Sequence, residues 1–346
     1  MAIQRFNIII SSKQRKPYMD VYKGLLMLFV IFGHISYAIG VNVNNHSNIV
    51  YNCLQGFASN WIAPFYMAAF FVASGFCSSF SKPLKQQVVS DVKTLIVPAW
   101  VVTIVVSLFR YETTETLLLL AKKLLLQGGG FWFVVSLFCA RIIYYFTLKI
   151  DKRILRFILL FILSFIGIYL NGHFQDRVWY LFHALSLCVF LEVGNYLRND
   201  KVLNIWSMLI SGIIYVVIIL FLQYYEKRVP SLCAIQTFNF RWMPIYFILA
   251  STGSIVCLSL CKLLQKCSPL EYVGRNSIIY YLTHYQFFNI SIPLIATFIL
   301  SKNSSIIWSI SIFLALFIGS VIWSTLISML LNTKYLCWII GRNNVK

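Results

Sequence analysis

Asp20, Lys23 and His34 stand inside "YMDVYKGLLMLFVIFGH" (residues 18–34), a stretch otherwise apolar enough to enter a lipid bilayer. An α-helix turns about 100° and rises about 1.5 Å per residue. Over the 11 residues from Lys23 to His34 it makes three turns plus about 20°, and Asp20 to His34 closes to within about 40° of four turns. The three groups therefore share one face, with Met27 and Val30 or Ile31 between them. Ionisable groups inside a membrane span face the bundle interior or a wet cavity. Lys23 sits at the start of the helix and His34 about 16 Å farther on, past the middle of a hydrocarbon layer about 30 Å thick. An imidazole at that depth has the chemistry of a general base or a nucleophile near neutral pH. Plainer roles compete: Lys23 can snorkel with Asp20 as its helical i,i+3 partner, and His34 can simply hydrogen-bond a neighbouring helix.

A second histidine, His284, lies about seven residues into another apolar run, on its inner half or near its middle. Its default role there is an interhelical hydrogen bond. Arg141 and Glu192 fall toward the ends of their runs, where snorkelling or pairing is the default. His183 is placed near the outer end of its run. His46 and His173 are placed in outer loops. Trp61, Trp132, Trp179 and Trp242 mark span ends, as an aromatic belt would.

The elements that must position these groups follow from composition. Of 346 residues 60% are hydrophobic and only 11% charged, against about 25% charged in a soluble domain. The chain reads as an all-α integral membrane protein, because backbone in lipid must pair within its own segment and barrel-type alternation is absent. Ten apolar runs are long enough or nearly so to span: roughly 21–41, 61–80, 94–110, 129–148, 154–171, 178–197, 203–223, 242–264, 277–299 and 305–331. The net charge of +19 could signal nucleic acid, but the basic residues fall in short clusters between apolar runs, which is the pattern of membrane topology. With the N-terminus inside, 19 of the 29 basic residues lie inside and eight outside, so both termini are expected in the cytoplasm. The segment "TETLLLLAKKLLLQGGG" (114–130) reads as an interfacial or re-entrant helix ending in glycines. Nine scattered cysteines, with no Cys-x-x-Cys, indicate neither a disulfide framework nor a metal site. No loop is long enough for a folded soluble domain.

Several segments, in order, resemble the membrane-bound acyltransferase-3 family. The Lys23-to-His34 spacing is similar to that family's basic residue, ten residues, then histidine. "PFYMAAFFVASGF" (64–76), "LIVPAW" (95–100), "GFWFVVSLF" (130–138) and "LEYVGRNSIIYYLTH" (270–284) resemble its later segments. The nearest flavour is that of sugar O-acetyltransferases of the fucose 4-O-acetylase type. Lys23 stands where arginine is commoner, keeping the charge but not the planar two-pronged grip on phosphate. The extracytoplasmic hydrolase-like domain of some relatives is not expected here.

The resemblance implies a cytoplasmic N-terminal segment (1–20), a transmembrane acyltransferase domain (21–331) and a cytoplasmic tail (332–346) in a bacterial cytoplasmic membrane. It implies acetyl-CoA as co-substrate, no metal, and a glycan or lipid-linked sugar as acceptor. Membrane lipids are the other partners, nucleic acid is not, and a homo-oligomer is left open. His34 and His284 are then the catalytic candidates, His34 as base or acyl carrier. Asp20, Lys23, Lys82, Lys85, Lys93, Arg141 and Arg275 are the candidates for the donor's phosphates, since a polyanion should meet a cationic inner rim. The rival from another class is a proton-coupled transporter or flippase of the glycan or its lipid-linked precursor, with the same histidines carrying protons; the lack of repeated halves argues against it.

Overall fold

The computed structural model describes residues 16–43, 49–110, 114–174, 178–199, 201–231, 242–301 and 306–342. The readings that fell on Arg5, Lys13, Arg15, His46, Arg177, Arg241, Lys302 and Lys346 lie outside the described residues. Within the described residues every extended element is helical and there is no strand, as lipid-embedded backbone requires.

The chain runs α1 (Pro17–Val43), α2 (Ile49–Phe57), α3 (Tyr66–Cys77), α4 (Leu84–Asp91), α5 (Val97–Arg110), α6 (Thr114–Gln127) and α7 (Trp132–Thr147). It continues with α8 (Arg153–His173), α9 (Leu181–Leu187), α10 (Val189–Leu197), α11 (Ile205–Tyr225) and α12 (Met243–Leu264), then α13 (Ser268–Arg275), α14 (Ser277–Ser301) and α15 (Ile306–Leu331). Among the described residues eight helical stretches are long and apolar enough to cross a membrane. Of the two remaining expected runs, Leu181–Leu197 is shorter, and α14 is a 25-residue helix with Pro293 inside it.

Several boundaries differ from the reading of the sequence. The second span begins at Ile49 rather than near 61, because α2 passes through one π-helical turn (Ala58–Ile62) toward α3. Asn52, Gln55, Ser59 and Asn60 had made that stretch look like a loop. The third begins at Leu84, where Lys85 and Asp91 mask a helix that is continuous through a second π-helical turn, Val92–Ile96. Residues 268–275, read as loop, form α13.

α1 is the central strut. Val21, Tyr22, Leu26, Met27, Val30, Ile31 and Ile35 are fully buried, and α3, α12, α13 and α14 pack around it. Its contact with α13 is backbone on backbone. A methyl group on Gly24 would collide with the Leu270 carbonyl, and one on Gly274 with the Asp20 carbonyl. Small residues permit this approach between membrane helices, where dispersion rather than hydrophobicity drives packing.

Candidate active site

The shared face deduced for α1 is turned inward. Met27, Val30 and Ile31 are fully buried, and His34, half-buried at the end of that stripe, meets α14. The two imidazoles lie together although 250 residues apart in sequence: His284 Nε2 is 3.0 Å from His34 Nδ1, with ring centroids 4.9 Å apart. His284 is 2% exposed. Its other nitrogen, Nδ1, is 2.8 Å from the Tyr280 carbonyl oxygen, one helical turn back.

These two contacts fix where the protons sit. A carbonyl oxygen only accepts, so His284 Nδ1 must carry the hydrogen and donate it. In a neutral imidazole, the form an apolar interior favours, His284 Nε2 is then the acceptor. His34 Nδ1 must donate to it, which leaves His34 Nε2 with a bare lone pair. Nε2 has no hydrogen-bond partner among the described residues. The arrangement is an imidazole held in one tautomer by a second histidine, which is itself held by backbone. Tyr285, with its ring 5.8 Å from His34, and Tyr281 and Phe288, each 6.0 Å from His284, wall the pair with aromatic edges.

At the foot of α1, Lys23 Nζ pairs with Asp20 Oδ1 at 2.8 Å, and Arg275 Nε lies 3.6 Å from Asp20 Oδ2. Asp20 is buried, whereas Lys23 and Arg275 are 27% and 48% exposed. Arg275 also meets Glu271 at 2.8 Å. The Gly24–Gly274 contact is what brings Arg275 to Lys23. Arg342 donates to the Arg275 carbonyl at 2.8 Å, and Gly341 lies against the backbone of exposed Lys93, so the end of α15's tail ties Lys93 to the same rim. Lys82 and Lys85 are exposed on the segment after α3, whose last turn packs Phe76 edge-on against Tyr18.

Arg141 is brought to a different task. Its Nε donates to Asp91 at 2.8 Å and its Nη1 to Ser74 (2.7 Å) and Ser78 (2.5 Å), while its guanidinium lies 5.0 Å from the Phe80 ring centre. Gln87 donates to both Asp91 oxygens. Glu192 is fully buried and receives Tyr144 at 2.5 Å and Arg156 at 3.0 and 3.2 Å, with Arg153 at 3.4 Å. Arg156, in the first turn of α8, is 8% exposed, because Glu192 draws it into the bundle. Arg198 donates to the carbonyls of Gly75, Phe76 and Ser78 and so closes the open end of α3. Among the described residues no group of three or more potential metal ligands occurs.

The site thus joins an intramembrane histidine pair to a helix with a cationic foot. The acyltransferase-domain model of the acyltransferase-3 family matches residues 16–329, nearly the whole chain, and the chain belongs to that family. It is a multi-pass membrane acyltransferase. No curated protein and no solved structure matches it.

Proposed function

We propose that the chain is an O-acyltransferase that moves an acetyl group from cytoplasmic acetyl-CoA to a hydroxyl of a cell-surface polysaccharide or its lipid-linked precursor, in a bacterial cytoplasmic membrane. The observation that carries the reading is the open Nε2 of His34, its tautomer set by the His284–Tyr280 carbonyl chain behind it. The sugar hydroxyl oxygen attacks the thioester carbonyl carbon while Nε2 takes its proton. The tetrahedral adduct then collapses, the C–S bond breaks, and the proton passes to the departing thiolate. The dry aromatic surround keeps water from competing for the thioester. His284 acts as a positioning residue, since it holds the tautomer rather than touching substrate.

On this reading Lys23 and Arg275 meet the donor's phosphates at the inner rim, exchanging part of their attraction to Asp20 for charge-assisted bonds to phosphate. Exposed Lys82, Lys85 and Lys93 supply the surrounding positive field. The distance from Lys23 to His34, about 16 Å along the helix, suits a donor whose phosphates and thioester sit at opposite ends of a long arm. Arg141 is left out of donor binding, since its donors are already committed to Asp91, Ser74 and Ser78. Counting Leu181–Leu197 and α14 as crossings gives ten passes and both termini in the cytoplasm.

The test uses membranes carrying the full chain, [14C]acetyl-CoA, and surface polysaccharide from a strain lacking the gene. Label should appear on the polysaccharide, and mass spectrometry of polysaccharide from the wild-type strain should show the matching acetyl increment. Absence of both overturns the proposal.

A further inference from the structure

Two loops at the end of the bundle away from Lys23 descend well below the ends of the helices beside them. After α6 the chain reverses at Gly128, Gly129 and Gly130, all with positive φ, a conformation glycine adopts without cost. Thr103 donates to the Gly129 carbonyl at 2.5 Å. Thr103 lies seven residues before the end of α5, so this reversal sits about 10 Å below that end. The start of α9 is sunk in the same way. Gly167, six residues before the end of α8, packs against Phe182 and Ser186, placing the α9 start about 9 Å below the end of α8. Irregular backbone at membrane depth persists only where protein buries it or where it lines a wet cavity.

These sunken segments carry a cluster of half-buried rings. Trp132 and His183 lie 5.1 Å apart, Tyr180 is 5.8 Å from His183, and all three are partly exposed. The cluster is continuous with the histidine pair. Phe131 and Phe133, on either side of Trp132, lie 6.3 and 5.1 Å from Tyr281, which borders His284. The backbone is strained to hold it: Trp179 and Tyr180 are both left-handed, with φ of 53° and 47°. Such strain survives only when its surroundings fix it, and it gathers at functional sites. Trp179 is fixed by donating to the carbonyls of Leu126 (2.8 Å) and Leu125 (2.9 Å) at the end of α6.

We infer that Trp132, Tyr180 and His183 form the acceptor platform, the floor of a vestibule opening away from the Lys23 rim, on which a pyranose ring of the acceptor stacks with one hydroxyl directed past Tyr281 toward His34. A sugar offers C–H faces to aromatic rings and hydroxyls to a few polar groups, and this cluster holds both kinds of partner. The inference rests on the transferase reading. It predicts that donor and acceptor enter from opposite ends and meet at the histidine pair.

The experiment measures transfer from [14C]acetyl-CoA to polysaccharide from the gene-deletion strain. Trp132→Ala should raise the acceptor KM about tenfold and Trp132→Phe about threefold, as expected for loss or reduction of one stacking surface. The affinity for acetyl-CoA should stay within about twofold, which also reports that each variant is folded. In a second arm a His183→Cys variant is treated with a membrane-impermeant thiol reagent, and added polysaccharide should slow its labelling. An unchanged acceptor KM, or labelling that polysaccharide does not slow, overturns the platform while leaving the transferase reading intact. No transfer by the unaltered chain removes that reading and the platform with it.

Discussion

Two of the polar sites inside this bundle are built on opposite plans. Around Glu192 every acceptor is used: one oxygen takes Arg156 and Arg153, the other takes Tyr144 and Arg156, with the carboxylate fully buried. At His34 only one ring nitrogen is used, and the ring is partly open rather than sealed. A buried charge with all its partners is a device for holding helices together. A buried base with one lone pair left open has been kept at a cost in polar burial that packing does not explain. The first ties α7, α8 and α10; the second joins α1 to α14 and faces outward from the join.

The contrast can be broken from either side. His34→Ala should lower transfer by about 10³-fold, the usual scale of a lost general base, with the thermal midpoint of the detergent-solubilised protein little changed. Glu192→Ala should do the reverse. Removing one member of a buried ion network strands Arg156 and Tyr144 and costs about 3–5 kcal/mol, read as a large drop in thermal midpoint or folded yield, with residual folded enzyme retaining its donor KM. If Glu192→Ala kept its stability and lost only turnover, the division between the two sites would be wrong.

Smaller effects sharpen the same comparison. His284→Ala should reduce kcat by on the order of 10²-fold while leaving the donor KM unchanged, because the base survives but loses its tautomeric anchor. His284→Gln, whose side-chain amide can still accept from His34 Nδ1, should recover part of that loss. Lys23→Gln should raise the acetyl-CoA KM by about five- to tenfold with kcat nearly intact, the scale of one charge-assisted contact to phosphate; Lys23→Arg should keep or improve affinity. A Lys23→Gln variant with normal donor KM would move the phosphates to another part of the rim.

Much of this architecture is legible in the residues. The stripe on α1 follows from helical geometry alone, and Met27 and Val30 indeed face inward beside it. His284 stands out as a histidine within an apolar run. The pairing of the two histidines is not legible, since nothing local announces a contact across 250 residues or says which nitrogen faces which. The same limit hid Arg156. A basic residue beside "DKR" resembles any loop cation until Glu192, 36 residues on, is seen to claim it. Asp91 drew no notice because the helix containing it was taken to start after it. Trp132 and Trp179 matched a membrane belt by position; only the sunken reversals beside them separate a vestibule floor from an interfacial girdle.

The close approach of α1 and α13 at Gly24 and Gly274 makes the opening helix a lever. Its lower end is clamped where no side chain cushions it, and the imidazole rides on the packed length beyond. Any atom added at the clamp must pry the two rods apart, and the tilt is magnified along the shaft until it reaches the ring. Chemistry can therefore be lost by a single methyl placed several turns from every reacting atom, with each reactive group still in the sequence.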